Sequence, residues 1–332
     1  MNLAKYVYRS FISRALAALA LAGLACVAPQ AQEKKKGGDE AGAGTPVLWR
    51  APVDIMTRDL YLGPGGEAMR PDLRQVTFVK DETGGYSTKF RVKDGSGREW
   101  VAKVGKEAQS ETAAVRLLWA VGYVTEVNYL VPRLNVAGKG VFENVRLEAR
   151  PASVKRLDEW KWADNPFSGR RELRGLIIMM ALLNNWDIKD SNNKVLLVRD
   201  AETGRSELHY IVSDLGATFG RVKVNIPGVW RVQRSRNDPD DYAKDAFLED
   251  VKGERVFFFY KGKRQDLFDD LRVEEARWLA ALVTKLSDRQ IGDAFRAANY
   301  TNAEIRTLTA AVRARINELA SVRGPGPPAQ KP

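Results

Sequence analysis

The sequence predicts an α+β chain of two lobes, a first lobe with an antiparallel sheet and one helix and a second lobe that is mainly helical. Three observations predict it. Short runs of β-formers separated by turn residues begin at Val76, a long apolar helical segment spans residues 170–184, and three further helical segments close the chain. With 332 residues, 44% of them hydrophobic, the chain is long enough to bury a core of that size.

The strands come first. Residues 76–79, 89–92 and 99–104 are rich in Val, Phe, Trp and Thr. The turns between them, Asp81-Glu82-Thr83-Gly84-Gly85 and Asp94-Gly95-Ser96-Gly97, suit hairpins, so the three runs form an antiparallel meander. A helix follows, with Ser110 expected as its N-cap, Ala114, Leu117, Leu118 and Val121 at helical spacing, and Gly122 as its stop. Residues 129–136 and 141–149 read as two more strands. Residues 47–150 thus make up the first lobe and 151–322 the second.

In the second lobe, residues 170–184 are apolar around most of the helix surface, the mark of a buried helix. Residues 194–199 and 208–213 read as a strand pair joined through Glu202-Thr203-Gly204. Helices are expected over 274–286, 287–298 and 301–321, the last opened by a capping box, Thr301-Asn302-Ala303-Glu304. Residues 32–46 and 323–332 are polar, small or Pro/Gly-rich and read as a flexible linker and a disordered tail.

The N-terminus reads as an export signal over residues 1–31. Lys5, Arg9 and Arg14 precede an apolar run from Ala15 to Ala28, too short to be an ordinary membrane span. Cys26, the only cysteine, ends Gly23-Leu24-Ala25-Cys26, which resembles a bacterial lipobox. A lipidated, membrane-anchored protein and a soluble exported one both remain open. Beyond Cys26 no thiolate is available for a disulfide or a metal, and His209 is the only histidine, so zinc sites of the Cys/His type are excluded. The net charge of +11 suits anionic partners without choosing among them. No nucleic-acid-binding signature accompanies it, and none is expected to bind.

The chemistry is concentrated in Asn184-Asn185-Trp186-Asp187-Ile188-Lys189-Asp190-Ser191-Asn192-Asn193, followed by Ser213-Asp214-Leu215-Gly216. An acid, a lysine two residues on and an asparagine five residues on lie in one loop, and a second acid before glycine follows a strand. Together with Lys103 on the third strand, this order resembles the protein-kinase-like superfamily, in particular atypical branches such as the HipA kinases, the spore-coat CotH kinases and the secreted Golgi kinases. The resemblance covers residues 76–220 and implies a two-lobed protein-kinase-like fold using ATP with Mg²⁺ or Mn²⁺.

Residue by residue, the resemblance implies that Lys103 contacts the α- and β-phosphates and that Glu111, or Glu107 four residues earlier, fixes that lysine. It puts Gly84 and Gly85 in a phosphate-covering turn. Asp187 would orient the attacking hydroxyl, with Asp190 as a rival, and Lys189 would stabilise the transferred phosphoryl group. Asn192, with Asn193 as a rival, and Asp214 would hold the metal, an oxygen-only pair suited to Mg²⁺ or Mn²⁺. The His-Arg pair usual before the acid is here Asn185-Trp186, and no Ala-Pro-Glu ending is present.

The leading expectation is therefore an exported kinase-like phosphotransferase with an unknown acceptor: protein, lipid, sugar or small molecule. The alternatives are a non-catalytic nucleotide- or ligand-binding scaffold in the cell envelope, and an AMP transferase on the same fold. The basic segment after Gly220, with Arg221, Lys223, Arg231, Arg234, Arg236 and Trp230, either docks an acidic acceptor or is a solvated loop.

Overall fold

The computed structural model describes residues 44–83, 87–199, 204–225 and 231–323. The export signal with Cys26, most of the linker, Gly84, Gly85, Trp230 and the C-terminal tail beyond 323 lie outside them. All described residues fall within one compact unit, Gly37–Pro332. No helix among them is long and apolar enough to cross a membrane.

The chain enters through a short strand, β1 (Thr45–Val47), which ends the stretch read as a linker. A five-stranded antiparallel sheet follows, formed by β2 (Thr77–Asp81), β3 (Thr88–Lys93), β4 (Glu99–Val104), β5 (Asn128–Val136) and β6 (Gly140–Ala149), in the order β2-β3-β4-β6-β5. Alternation sorts its side chains by face. Phe90, Val92, Trp100, Ala102, Val145 and Leu147 share a dry core. Val101 and Lys103 stand on the opposite face of β4, and Lys103 is paired in register with Arg146 on β6.

Helix α1 (Glu107–Ala120) lies between β4 and β5 in sequence. It begins earlier than expected. Lys106 is its N-cap, with no side-chain cap, and Ser110 lies inside the helix, where its hydroxyl donates to the Gly216 carbonyl at 3.0 Å. Ser110 is thus a tie between lobes rather than a cap. Glu111 consequently sits in the second turn, and Glu107 is the first-turn acid. Gly122 does end the helix: its φ of +102° is open to glycine, and a Cβ would meet the Arg50 carbonyl at 2.3 Å.

The second lobe centres on α2 (Arg171–Leu182), nearly all of whose residues from Leu173 on are buried. Strands β7 (Val154–Arg156), β8 (Asn193–Arg199) and β9 (Ser206–Val212) form a small sheet that β1 completes by pairing parallel to β9. Helices α4 (Val273–Val283), α5 (Asp288–Ala297) and α6 (Asn302–Ser321) close the chain, after α3 (Pro239–Lys244). Thr301 and Glu304 form the expected capping box. Two hairpins went unread in the sequence: β10 (Val222–Asn225) with β11 (Arg231–Arg234), and β12 (Leu248–Lys252) with β13 (Arg255–Phe258). The lobe is therefore less purely helical than its periodicity suggests.

Candidate active site

Lys103 is almost fully buried, and its ammonium is surrounded by carboxylates. Glu111 Oε2 lies at 2.8 Å, Glu107 Oε2 at 3.1 Å and Asp214 Oδ1 at 3.5 Å. Both rival glutamates therefore reach it. They differ in setting. Glu111 is 1% exposed and also faces Arg146 at 3.1 Å, so two cations bracket one carboxylate. Glu107 is nearer the surface and also pairs with Ser87 and Arg236. Burial pulls the Lys103 ammonium down, but Glu111 and Asp214 outweigh it and hold it charged above its ordinary range.

Behind this pair, the first lobe is joined to β7 by a buried ionic network. Glu148 meets Arg146 at 2.7 Å, Arg150 and Arg156, while Arg156 also binds Glu126 and the Ser213 hydroxyl. Burial, reinforced by the Glu148 charge, pushes the Glu126 carboxyl up to about 7. Nothing in the periodicity of the sequence marked these residues. Their only sequence sign is alternation of charged residues within a strand, Arg146 and Glu148, two apart on one face.

The loop after α2 takes its shape from the second lobe. Asn184 sits at φ 49°, the left-handed position in which Asn can end a helix. Its amide donates to the Gly220 carbonyl and to Asp245, each at 2.7 Å. From α6, the buried Arg315 donates to the carbonyls of Ala181, Leu182, Tyr242 and Asp245, so the last turn of α2 has its acceptors satisfied. The Asn192 amide donates to the Asp187 main-chain carbonyl at 2.8 Å. The Asn192 carbonyl accepts from the amides of Ser213 and Asp214, at 2.7 and 3.2 Å. The β8–β9 hairpin thus brings the Asn192 main chain against Asp214. Asn193 turns inward to the Trp160 carbonyl, and Asp190 pairs with Arg264 and caps the Trp162 amide.

Asp187 is held from both sides. Lys189 Nζ lies 3.0 Å from Oδ2, and Lys263 Nζ 2.5 Å from Oδ1. Burial raises the Asp187 carboxyl, but these two lysines more than offset it and keep it below the usual carboxylate range. Lys263 was missed in the sequence, because it follows β13 and no motif spacing links it to the loop. It is delivered by contacts with the loop: Lys263 N donates to the Trp186 carbonyl at 2.8 Å, and the Tyr260 hydroxyl donates to the Asn185 carbonyl at 2.8 Å.

Asp214 follows β9, its Oδ1 accepting from Gly216 N at 3.2 Å. Leu215 is fully buried in the main core, which fixes the turn. A Cβ on Gly216 would lie 2.8 Å from Glu107, so glycine lets the turn approach α1. Among the described residues no group of three or more acidic, His or Cys side chains is positioned to hold a metal by itself. Asp214 and the Asn192 amide oxygen are nevertheless hard donors of the kind Mg²⁺ takes together with substrate phosphates. The pair fits a metal that arrives with a nucleotide.

The remaining candidates resolve simply. His209, on β9, pairs with Glu207 at 2.8 Å. Of the basic segment, Arg221 pairs with Asp245, Lys223 with Asp241 and Arg236 with Glu107. Arg234 and Arg236 lie over the Trp186 indole, at 5.5 and 4.9 Å from its centroid.

A five-stranded antiparallel sheet, an interior lysine–glutamate pair between its strand and helix, and a loop acid linked through Asn192 to a strand-end acid define this arrangement. This is the arrangement that the resemblance to the protein-kinase-like superfamily implied. No protein-family model matches the chain, and no curated protein does. Among solved structures, the chain is similar to the proinflammatory kinase CtkA of Helicobacter pylori, with 11% identity over 74% of this chain and 95% of that one and a TM-score of 0.45. It is also similar to the Rio2 kinase of Chaetomium thermophilum in its ADP/Mg²⁺-phosphoaspartate complex, with 13% identity over 76% of this chain and 74% of that one and a TM-score of 0.32.

Proposed function

We propose that the protein is a metal-dependent phosphotransferase that takes the terminal phosphoryl group of a nucleoside triphosphate. One observation carries this reading: Lys103, held charged in the interior by Glu111, reaches Asp214, the acid that the main chain of Asn192 fixes beside the Asp187 loop. A buried cation tied to a carboxylate at the cleft is costly as mere scaffolding, and it suits a site built to receive phosphate charge.

In this reading Lys103 offsets charge on the non-transferred phosphates. Asn192 and Asp214 hold the metal, which when bound supplies positive charge against the phosphate oxygens. Asp187 orients the acceptor hydroxyl and receives its proton, and Lys189 lies beside it to balance charge on the group in transfer. Two cavities of about 640 Å³ flank this centre. One, lined by Ser87, Glu107, Arg234 and Arg236, abuts the arginines stacked on Trp186, next to Asp187, and is assigned to the acceptor. The other lies toward Arg150 and Pro151, the connection between the lobes.

We also propose that the chain acts outside the cytoplasm, on the strength of the leader read in residues 1–31. Replacing Cys26 with Ser distinguishes its two forms: loss of membrane association marks a lipoprotein, and unchanged soluble export marks the other.

The test of activity is metal-dependent release or transfer of the γ-phosphate by the full chain. Asp187→Asn and Asp214→Ala should each lower it by at least a hundredfold, as expected for groups acting directly on proton or phosphate, while unfolding temperatures stay close to the parent's. Undiminished turnover in Asp214→Ala would remove the assignment. Nucleotide binding without turnover would favour the non-catalytic scaffold.

A further inference from the structure

The second cavity bears on which nucleotide is used, and the inference from it rests on the phosphotransferase reading above. Lys103, Val101 and Glu99 occupy alternate positions on one face of β4, so Glu99 stands about 13 Å along the strand from the phosphate lysine. That is the direction left for the nucleoside, because the other cavity is assigned to the acceptor and its Arg234 and Arg236 lie over Trp186, the residue before Asp187.

The lining at that end mixes apolar side chains, Met69, Trp100 and Val154 among them, with charged ones. Arg91, Lys93, Glu99, Arg150 and Arg156 all border it, and no Asn or Gln does. Arg91 is directed mainly to Glu82, at 2.7 Å, and meets Glu99 only at 3.5 Å. The Glu99 side chain is 37% exposed and keeps carboxylate oxygen for a ligand. Arg150 uses Nη1 on Glu148 and the Ala149 carbonyl, and its other nitrogens remain as donors.

A carboxylate beside arginine donors is complementary to guanine. Its N1–H and exocyclic N2–H₂ form a two-donor edge for a carboxylate, and O6 with N7 forms the two-acceptor edge that arginine recognises. Adenine offers a carboxylate only its single exocyclic amine, and the side-chain amides that pair with adenine on both positions are missing from this lining. We propose that the cavity bordered by Glu99 and Arg150, neighbours joined through Arg150 N and the Glu99 carbonyl, is a purine-base site that prefers guanine to adenine, making the phosphoryl donor a guanine nucleotide.

The experiment is thermal unfolding of the full chain with Mg²⁺ and either GTP or ATP over a concentration series, beside Glu99→Gln and Asp214→Ala. The expected result is half-maximal stabilisation at a GTP concentration about tenfold below that for ATP, with Glu99→Gln closing the gap by weakening GTP. Asp214→Ala should remove the metal-dependent shift for both nucleotides. ATP binding as well as or better than GTP in the parent would overturn the base preference and leave the phosphotransferase reading standing. An unchanged GTP preference in Glu99→Gln would overturn the role given to that residue. No shift with either nucleotide would overturn both.

Discussion

At the scale of single residues, the account turns on how carboxylates are held by cations. Asp187 lies between Lys189 and Lys263, and both lower its proton affinity against the burial that would raise it. Removing one cation favours the protonated acid, so Lys263→Met should move the acidic limb of the pH–rate profile to higher pH. Lys263→Arg should restore it. A profile unchanged in Lys263→Met would show that Lys263 does not act through Asp187. Glu126 behaves in the opposite sense. In the folded chain its carboxyl is raised to about 7 from an ordinary 4.5, chiefly by burial. Across that window the folded state keeps a proton that the unfolded chain has lost, so stability is greatest below it and declines as pH rises through it. Glu126→Gln, which keeps the neutral form, should flatten the decline in urea midpoint between pH 5 and pH 7.5, and an equal slope in parent and variant would contradict this. Residues of the first kind were legible in sequence where a motif fixed their spacing: Asp187, Lys189 and Asn192 share one loop, Asn192 contacts Asp214, and Asp214 contacts Lys103. Lys263, Arg146 and Glu126 were not, because they arrive from other elements and no local spacing connects them to the loop.

At the scale of elements, the active loop is positioned by what packs behind it. Arg315 of α6 donates to four carbonyls at the end of α2 and beyond, and its guanidinium lies 4.0 Å from the centroid of the Tyr242 ring. Arg315→Leu keeps apolar bulk but withdraws the buried charged donor that these carbonyls share, while those of Ala181, Leu182 and Tyr242 keep Asn184 N, the Tyr242 hydroxyl and Asp245 N as donors. It should cost about 1–3 kcal/mol, measurable by denaturant unfolding. No measurable loss would show that the guanidinium does not hold the end of α2. Gly262 gives a second case. A Cβ there would fall 2.2 Å from the Tyr260 hydroxyl and 2.6 Å from Trp186 Cα. Gly262→Ala should therefore displace the segment bearing Lys263 from the loop and lower turnover more than it lowers stability. The sequence identified most strands and helices because periodicity reports burial directly. It placed the start of α1 at Ser110 because a serine before an apolar helical run resembles a cap. The actual partner, the Gly216 carbonyl, is 106 residues away and visible only once the lobes meet.

At the scale of the whole molecule, the two lobes are joined across the cleft by ionic contacts as well as by the chain. Arg236 reaches Glu107 on α1, and Arg156 on β7 reaches Glu126 and Glu148 in the first lobe. These joints meet around Lys103 and Asp214, so the cleft already brings together the groups that would receive phosphate and metal. The fold class was legible because each lobe carries its own pattern, alternation in the first and a buried helix in the second. The base end of the cleft was not legible, because its character depends on which strand faces point inward. The central claim is that this cleft binds a nucleoside triphosphate together with a divalent metal. The measurement that tests it most directly is the unfolding temperature of the full chain with GTP or ATP, with and without Mg²⁺, in the parent and in Asp214→Ala. At nucleotide concentrations near a hundred times the dissociation constant, the account predicts a metal-dependent rise on the order of 5 °C in the parent that is absent from the variant. No metal-dependent rise in the parent, or an equal rise in both proteins, would contradict it.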